Sequence, residues 1–371
     1  MEVHVEERMT TLGKSILVPS VKEIAKECLE KVADRYIQIN TDANQEDYGL
    51  NDSDINVNED IKVPIIDMEA LIAGDGLELD KLHSACQDWG FFQIVNHGID
   101  KTLVEKFKLE TKELFDLPIE EKKKYWQTSN EVEGFGQAFV VSEDQKLDWA
   151  DMFFVSVLPK YMRKPNLIPM LPLPYRNTLE LYSEKIQNLA MNIIDCISKA
   201  LKINIEVMRR IFGNDGLQSF RMNYYPPCPQ PDKVIGLTPH SDAAGLTILL
   251  QFDDIEGLQI RKNHKWVTIN PLPNTFVVNI GDILEIVTNG IYRSILHRSV
   301  VNATKARISV AAFHNPSMKG DIGPIPDLIK PGVPVRFQHI SAADYFKGLF
   351  NRALDGKSYI DVMRINPNHN N

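Results

Sequence analysis

Leu179, Tyr182, Ile186, Leu189, Ile193, Ile197 and Leu201 recur at steps of three and four residues. That spacing predicts one long amphipathic helix whose apolar stripe packs on a sheet. Asn204 begins a second helix that Gly213 ends, and Asp100 caps an earlier one carrying Leu103, Phe107, Leu114 and Phe115 until Pro118. Val21 to Tyr36 and Asp80 to Trp89 are also expected to be helical. Val63 to Asp67 and Phe91 to Val95 read as strands. Further on, the period shortens. The run Arg221-Met222-Asn223-Tyr224-Tyr225 reads as a strand that must end at Pro226, Pro227, Pro229 and Pro231, since proline fixes φ and removes a backbone donor. Leu246 to Leu250 is a buried strand, and Leu258 to Arg261 with Lys265 to Ile269 forms a hairpin. Thr275 to Ile280 is another strand, closed by Gly281-Asp282. Ile291 to Val301 is expected to pair with Arg307 to Phe313 around Asn302 to Lys305. Many short strands with turn residues between them predict a barrel or double-sheet jelly roll. The fold expected is mainly β with α: a double-stranded β-helix (jelly-roll) core flanked by helices, with an N-terminal α/β extension.

One triplet in the strand-rich part carries chemistry. His240 and Asp242 are two residues apart, so on a strand they share a face and can reach one metal ion. His297, from another strand, completes two imidazoles and one carboxylate. Such a set leaves open positions and is associated with non-haem Fe(II) oxygenases. The triplet pattern alone is weak: with nine His and fifty acidic residues, about one match is expected by chance. His4-Val5-Glu6, in a polar stretch, is read as that chance match. Ten residues after His297 stand Arg307 and Ser309, which share a strand face. A guanidinium there is suited to gripping a carboxylate bidentately, with the hydroxyl as a second donor. His97, in a turn, and His314, opposite Phe313, read as structural.

Asn223-Tyr224-Tyr225-Pro226-Pro227-Cys228-Pro229, His240-x-Asp242, His297 and Arg307-x-Ser309 together resemble the plant 2-oxoglutarate- and Fe(II)-dependent dioxygenase superfamily. The resemblance runs from about Val63 to Asp361 and includes Trp89-Gly90-Phe91-Phe92-Gln93-Ile94-Val95-Asn96-His97-Gly98. Within the superfamily the chain is similar to the senescence-related-protein-like group, near the alkaloid O-demethylases. The resemblance implies Fe(II) held by His240, Asp242 and His297, and 2-oxoglutarate as co-substrate with its distal carboxylate on Arg307 and Ser309. Asn223 and Tyr225 are implied to line the co-substrate pocket. Ascorbate is the implied supporting reductant. The implied reaction consumes O2, releases succinate and CO2, and hydroxylates or O-demethylates a small-molecule plant metabolite such as an alkaloid or other aromatic. Alternatives are a flavonoid oxidase or desaturase of the same superfamily, or a jelly-roll binding protein without chemistry. Phe313, Arg221, Phe139 and Asn315 are candidate substrate contacts, with Phe153 and Phe154 further candidate walls. Flavonoid-oxidising relatives carry an acidic residue where this chain has Asn315, which makes that chemistry less expected.

In these terms residues 1–60 form a polar N-terminal segment and linker, with Thr41 to Asp60 rich in Asn and Asp. Residues 61–170 are the N-terminal dioxygenase domain, 171–215 the support helices, 216–317 the jelly-roll core and 318–371 a C-terminal helical segment and tail.

Composition narrows the class further. The chain has 371 residues, 43% hydrophobic and 25% charged, which suits a globular enzyme. A net charge of −9 without a Lys/Arg stripe argues against nucleic acid as a partner. Cys28, Cys86, Cys196 and Cys228 show no paired spacing, so a reducing compartment is expected. Glu2, Glu6 and Glu7 with no apolar run after them do not read as a signal peptide, and no stretch has the length of a membrane span. A cytoplasmic monomer is the expectation.

Overall fold

The computed structural model describes residues 15–27, 30–38, 62–128, 131–213 and 215–365. The expected linker Thr41 to Asp60, Cys28, the His4-Val5-Glu6 triplet and nearly all of the C-terminal tail lie outside them. In chain order the strands are β1 (Ile65–Asp67), β2 (Phe91–Val95), β3 (Gly134–Gly136), β4 (Asp151–Leu158), β5 (Leu217–Tyr225) and β6 (Leu237–His240). They continue with β7 (Leu246–Gln251), β8 (Leu258–Lys262), β9 (Lys265–Thr268), β10 (Phe276–Ile280), β11 (His297–Ser299) and β12 (Arg307–Asn315). These twelve form two sheets, and Asp321–Ile322 pairs with Ile340–Ser341 as a small third one. The larger has the order β1-β2-β10-β7-β12-β5-β4-β3, and the smaller β6-β11-β8-β9. This is the expected jelly-roll core.

The helix Leu173–Ala200 lays Leu179, Tyr182, Ile186, Leu189, Ile193 and Ile197 into the main core with the large sheet, as their spacing requires. Asp100 accepts from the Leu103 amide at 3.1 Å and caps Lys101–Asp116, while Asn204 caps Ile205–Phe212. Strand alternation then divides the large sheet into two faces. On β12, Val310 and Ala312 enter the core, while Arg307, Ser309, Ala311, Phe313 and Asn315 face the opposite side. On β5, Phe220 and Met222 enter the core, while Ser219, Arg221, Asn223 and Tyr225 face the same chamber as β12.

Three expectations are corrected. Ile291 to Val301 does not pair with Arg307 to Phe313. Within that stretch β11 pairs with β6 and β8, whereas β12 pairs with β5 and β7. A jelly roll sends consecutive strands to opposite sheets, and a short polar connector is compatible with either arrangement. Val21 to Tyr36 is not one helix but a turn of helix at Val21–Ala25 and a 3-10 turn at Asp34–Tyr36. Asp80 to Trp89 is the end of a helix, Gly76–Ser84, that widens into a π turn at Ala85–Trp89. Among the described residues no helix is long and apolar enough to cross a membrane.

Candidate active site

The chamber lies between the two sheets. His240 is the last residue of β6, and His297, the first of β11, is its partner in the ladder. Pairing across antiparallel strands therefore brings two imidazoles that are distant in sequence to a ring-centroid separation of 4.2 Å. Asp242 lies just beyond β6, and its Oδ1 stands 3.5 Å from His240 Nε2 and 3.6 Å from His297 Nε2. All three side chains are buried, with their ligand atoms within 4.8 Å of one another.

Each donor is oriented by a second contact. The His240 ring uses Nδ1 on the Thr238 carbonyl at 2.7 Å, and His297 uses Nδ1 on the Ile295 carbonyl at 3.2 Å. Both Nε2 atoms are thereby left to face Asp242. Asp242 Oδ2 accepts from Thr247 Oγ1 and from Asn279 Nδ2, each at 2.7 Å, which turns Oδ1 towards the histidines. Burial alone would raise the Asp242 pKa. The charge of His297 and hydrogen bonds from His240 and Asn279 outweigh it and hold the carboxyl well below its usual range. Burial, then the neighbouring His240, pushes the His297 imidazole down to about 4. At neutral pH the site thus offers an anionic carboxylate and a neutral His297. Two imidazole nitrogens and one carboxylate oxygen, dry and pre-oriented, fit Fe(II).

Gly281 is needed beneath this site. A Cβ there would lie 2.1 Å from the Ala244 carbonyl oxygen and 3.0 Å from that of Asp242. The close approach lets the Asp282 amide donate to the Asp242 carbonyl at 2.7 Å, so the helix Asp282–Val287 supports the loop bearing Asp242.

Arg307 lies in the same chamber and is buried. Its Nη1 donates to Ser299 Oγ at 3.2 Å and Nη2 to Gln251 Oε1 at 2.9 Å, and its guanidinium sits over the Tyr225 ring at 5.2 Å. Nε is buried with no acceptor, and burial lowers the pKa of the group. A buried cation with only neutral hydrogen-bond partners and an orphaned donor fits the carboxylate of a keto acid. Ser309 and Asn223 are adjacent partners across β12 and β5 and both line the chamber.

The fold gathers His240, Asp242, His297, Arg307, Ser309, Tyr225, Asn223, Phe313, Arg221, Phe139 and Asn315 around this one chamber. Asn315 is partly committed, since its Oδ1 accepts from the Gly245 amide at 3.1 Å. Of the two phenylalanines on β4, Phe154 lines the chamber, but Phe153 is corrected to core. Adjacent strand residues face opposite ways, and Phe153 packs on Phe135 at 4.7 Å. The same rule separates Tyr225, in the chamber, from Tyr224, which packs on Phe115. His97 accepts from the Ile99 amide within its own turn, and His314 faces Gln218 away from the chamber.

The sequence reading missed three features. Thr247 and Asn279 orient Asp242. Asn279 was detectable as the one polar residue in Phe276-Val277-Val278-Asn279-Ile280, where an amide must find a buried partner. The C-terminal segment also closes the chamber: Phe346, Leu349 and Phe350 line it, and the Ser241 amide donates to the Gly356 carbonyl at 3.2 Å. The sequence shows no basic stripe, yet the fold brings Arg261, Lys262, Arg293, Lys330 and Arg336 round a separate surface cavity.

A jelly roll with a buried two-histidine, one-carboxylate cluster and a buried guanidinium in the same chamber defines the mononuclear non-haem iron oxygenases that use a keto acid. The chain belongs to the 2OG-Fe(II) oxygenase superfamily, whose model matches residues 216–316. Residues 63–170 match the N-terminal domain described as that of a non-haem dioxygenase in morphine synthesis. Protein SRG1 of Arabidopsis thaliana is 54% identical over 355 residues, covering 95% of this chain and 97% of that protein. The oxoglutarate-dependent flavonoid 7-O-demethylase 1 of Ocimum basilicum is 49% identical, covering 95% of this chain and 93% of that protein. Codeine O-demethylase of Papaver somniferum is also 49% identical, covering 95% and 98%. The crystal structure of JOX2 in complex with 2OG, Fe and JA superposes with a TM-score of 0.85 at 32% identity, covering 95% of this chain and all of that one. The protein is a 2-oxoglutarate-dependent dioxygenase, an oxidoreductase that takes Fe(II) and 2-oxoglutarate.

Proposed function

We propose that this oxygenase oxidises an aromatic specialised plant metabolite by O-demethylation or hydroxylation, with His240, Asp242 and His297 as its iron ligands. The observation that carries the reading is the opening of the buried cluster onto a chamber walled by Phe139, Phe154, Phe313, Phe346 and Phe350. Such walls accept a flat apolar molecule. The relatives that demethylate an alkaloid or a flavonoid support the choice of reaction.

Fe(II) with 2-oxoglutarate, when bound, would supply the oxidising power: the keto acid loses CO2 and takes one oxygen atom of O2 to become succinate, and the other oxygen atom oxidises the substrate. The side chains do the rest. Arg307 and Ser309 hold the distal carboxylate of the co-substrate, with Tyr225 and Asn223 beside it. Thr247 and Asn279 keep Asp242 aimed at the metal. The aromatic walls exclude water and present one carbon of the substrate to the metal face. Demethylation is hydroxylation of a methoxy carbon followed by loss of formaldehyde, so one site serves both outcomes. The enzyme is further proposed to act as a monomer on small molecules in a reducing, cytoplasmic setting, which suits its buried free thiols at Cys86, Cys196 and Cys228.

The test is anaerobic loading with Fe(II) and 2-oxoglutarate, then oxygen, with a panel of methoxylated alkaloids, coumarins and flavonoids. Substrate-dependent succinate together with formaldehyde, or with a product one oxygen heavier, supports the proposal and separates the two reactions. No succinate from iron-loaded protein would return the chain to the binding-protein reading.

A further inference from the structure

Arg221 lies on the chamber side of β5, four residues from Tyr225. Tyr225 stands opposite Arg307 in the ladder, whereas Arg221 stands between Ala311 of β12 and Phe154 of β4. At about 3.3 Å per residue, the strand positions of the two guanidiniums are about 13 Å apart, so they serve different ends of the chamber. Ala311 is too short to fill the space beside Arg221, and Phe154 offers no acceptor. The Arg221 Nε donates to Asn223 Oδ1 at 2.8 Å, which fixes the plane of the fork. Among the described residues no carboxylate is in ion-pair contact with Arg221; the buried Asp148 feels its charge without touching it.

The nearby acids are engaged elsewhere. Asp242 is held by Thr247 and Asn279, Asp282 accepts from Ser241 Oγ at 3.1 Å, and Asp148 accepts from the Thr238 amide and hydroxyl. At the exposed rim Arg352 and Asp355 bring charges of opposite sign. A half-buried cation that faces a largely apolar chamber and touches no carboxylate is placed to take an anion from the ligand.

We infer that Arg221 anchors the primary substrate through an anionic oxygen, a carboxylate or a phenolate, so that the substrate class is a hydrophobic aromatic acid or phenol. The inference rests on the reading of this chamber as the substrate site of an oxygenase. An amine cation without an oxyanion would meet Arg221 with like charge, and is disfavoured. Arg307 keeps the co-substrate; Arg221 selects what is oxidised.

Anaerobic titration calorimetry on the full chain, loaded with Fe(II) and saturating 2-oxoglutarate, tests this without turnover. The co-substrate occupies Arg307, so an added acid cannot use it. The probes are 6-methoxy-2-naphthoic acid, its primary amide, 6-methoxy-2-naphthol above and below its ionisation, and the corresponding naphthylmethylamine. The expected result is binding of the acid or the naphtholate on the order of tenfold tighter than the amide and the amine, as for a hydrogen bond to a charged group. Arg221→Met should bring that ratio close to unity, and Arg221→Lys should keep part of it, which also covers a Met variant that fails to fold. Tighter binding of the acid than of the naphtholate identifies a carboxylate, and the reverse identifies a phenolate. Equal affinity for acid and amide, preference for the amine, a preference that survives Arg221→Met, or no binding of either anion would overturn the inference. Succinate release by the wild type is scored separately. Succinate without an anion preference removes the role of Arg221 alone; an anion preference without succinate removes the oxygenase reading alone.

Discussion

Glu285 and Lys357 form an ion pair at 2.9 Å around a carboxylate that is almost wholly buried, joining the helix beneath the Asp242 loop to the segment that closes the chamber. The Arg364 guanidinium reaches the other oxygen at 2.9 Å, and the Ser294 amide also donates to the carboxylate. Lys357 directly follows Gly356, whose backbone bridges to Pro239 and Ser241 on either side of His240. The C-terminal segment is therefore pinned both to the metal strand and to its supporting helix.

Glu285→Gln should loosen that segment. It takes the Glu285 anion from Lys357 and leaves Arg364 with Asp361, at a cost of about 1–3 kcal/mol, below the value for a fully buried pair because both cations are partly exposed. Substrate KM should rise several-fold with little change in the 2-oxoglutarate KM, and limited proteolysis should cut faster between residues 351 and 357. Equal rises in both KM values would show that the pair only supports the fold.

Asn279→Leu should weaken iron binding by about 10–100-fold, the usual effect of losing a contact that orients a metal ligand. Asp242 Oδ2 would keep Thr247 but lose half of its support. Competition with a chelator, together with circular dichroism to verify the fold, measures this. Unchanged iron affinity would mean that Thr247 alone suffices.

Arg307→Ala should raise the 2-oxoglutarate requirement far more than the substrate requirement. Loss of one partner of a desolvated charge pair costs on the order of 2–5 kcal/mol. Co-substrate titration at saturating substrate gives the number. Parallel effects on both ligands would contradict the assignment.

His314 gives an acid-limb prediction away from the metal. Burial pushes its imidazole down to about 4, and its Nδ1 has no partner. Its folded pKa lies below the unfolded value of about 6.5. The unfolded state thus binds the extra proton as pH falls from about 6.5 to about 4, and stability is lost across that window. His314→Leu should flatten this part of the curve of melting temperature against pH for the metal-free protein. An unchanged slope would place the acid sensitivity in other groups.

Much of this molecule was legible in the chain because its signals are local. The 3.6-residue stripe from Leu179 to Ile197, the caps at Asp100 and Asn204, and the proline-stopped strand ending at Tyr225 all formed as read. The donor types were legible too, since imidazole, carboxylate and guanidinium announce their chemistry wherever they stand. Strand partners were not. The connector between Ser299 and Arg307 looks like a hairpin turn, yet it joins two sheets, because the register is decided by which apolar face each strand can bury. Phe153 and Phe154 were readable only as a pair until alternation on β4 assigned one to core and one to chamber.

The sequence by itself determined the elements and the chemical inventory, because helix period, strand alternation and side-chain chemistry act over a few residues. The tertiary structure decided everything that depends on distance between remote segments. It placed His297 beside His240 across a ladder, bound Asn279 to Asp242, set Arg221 against Asn223 on the chamber side and folded the C-terminal segment over the chamber. Those arrangements follow from packing two sheets around one buried space, and no local pattern encodes which residues will meet there.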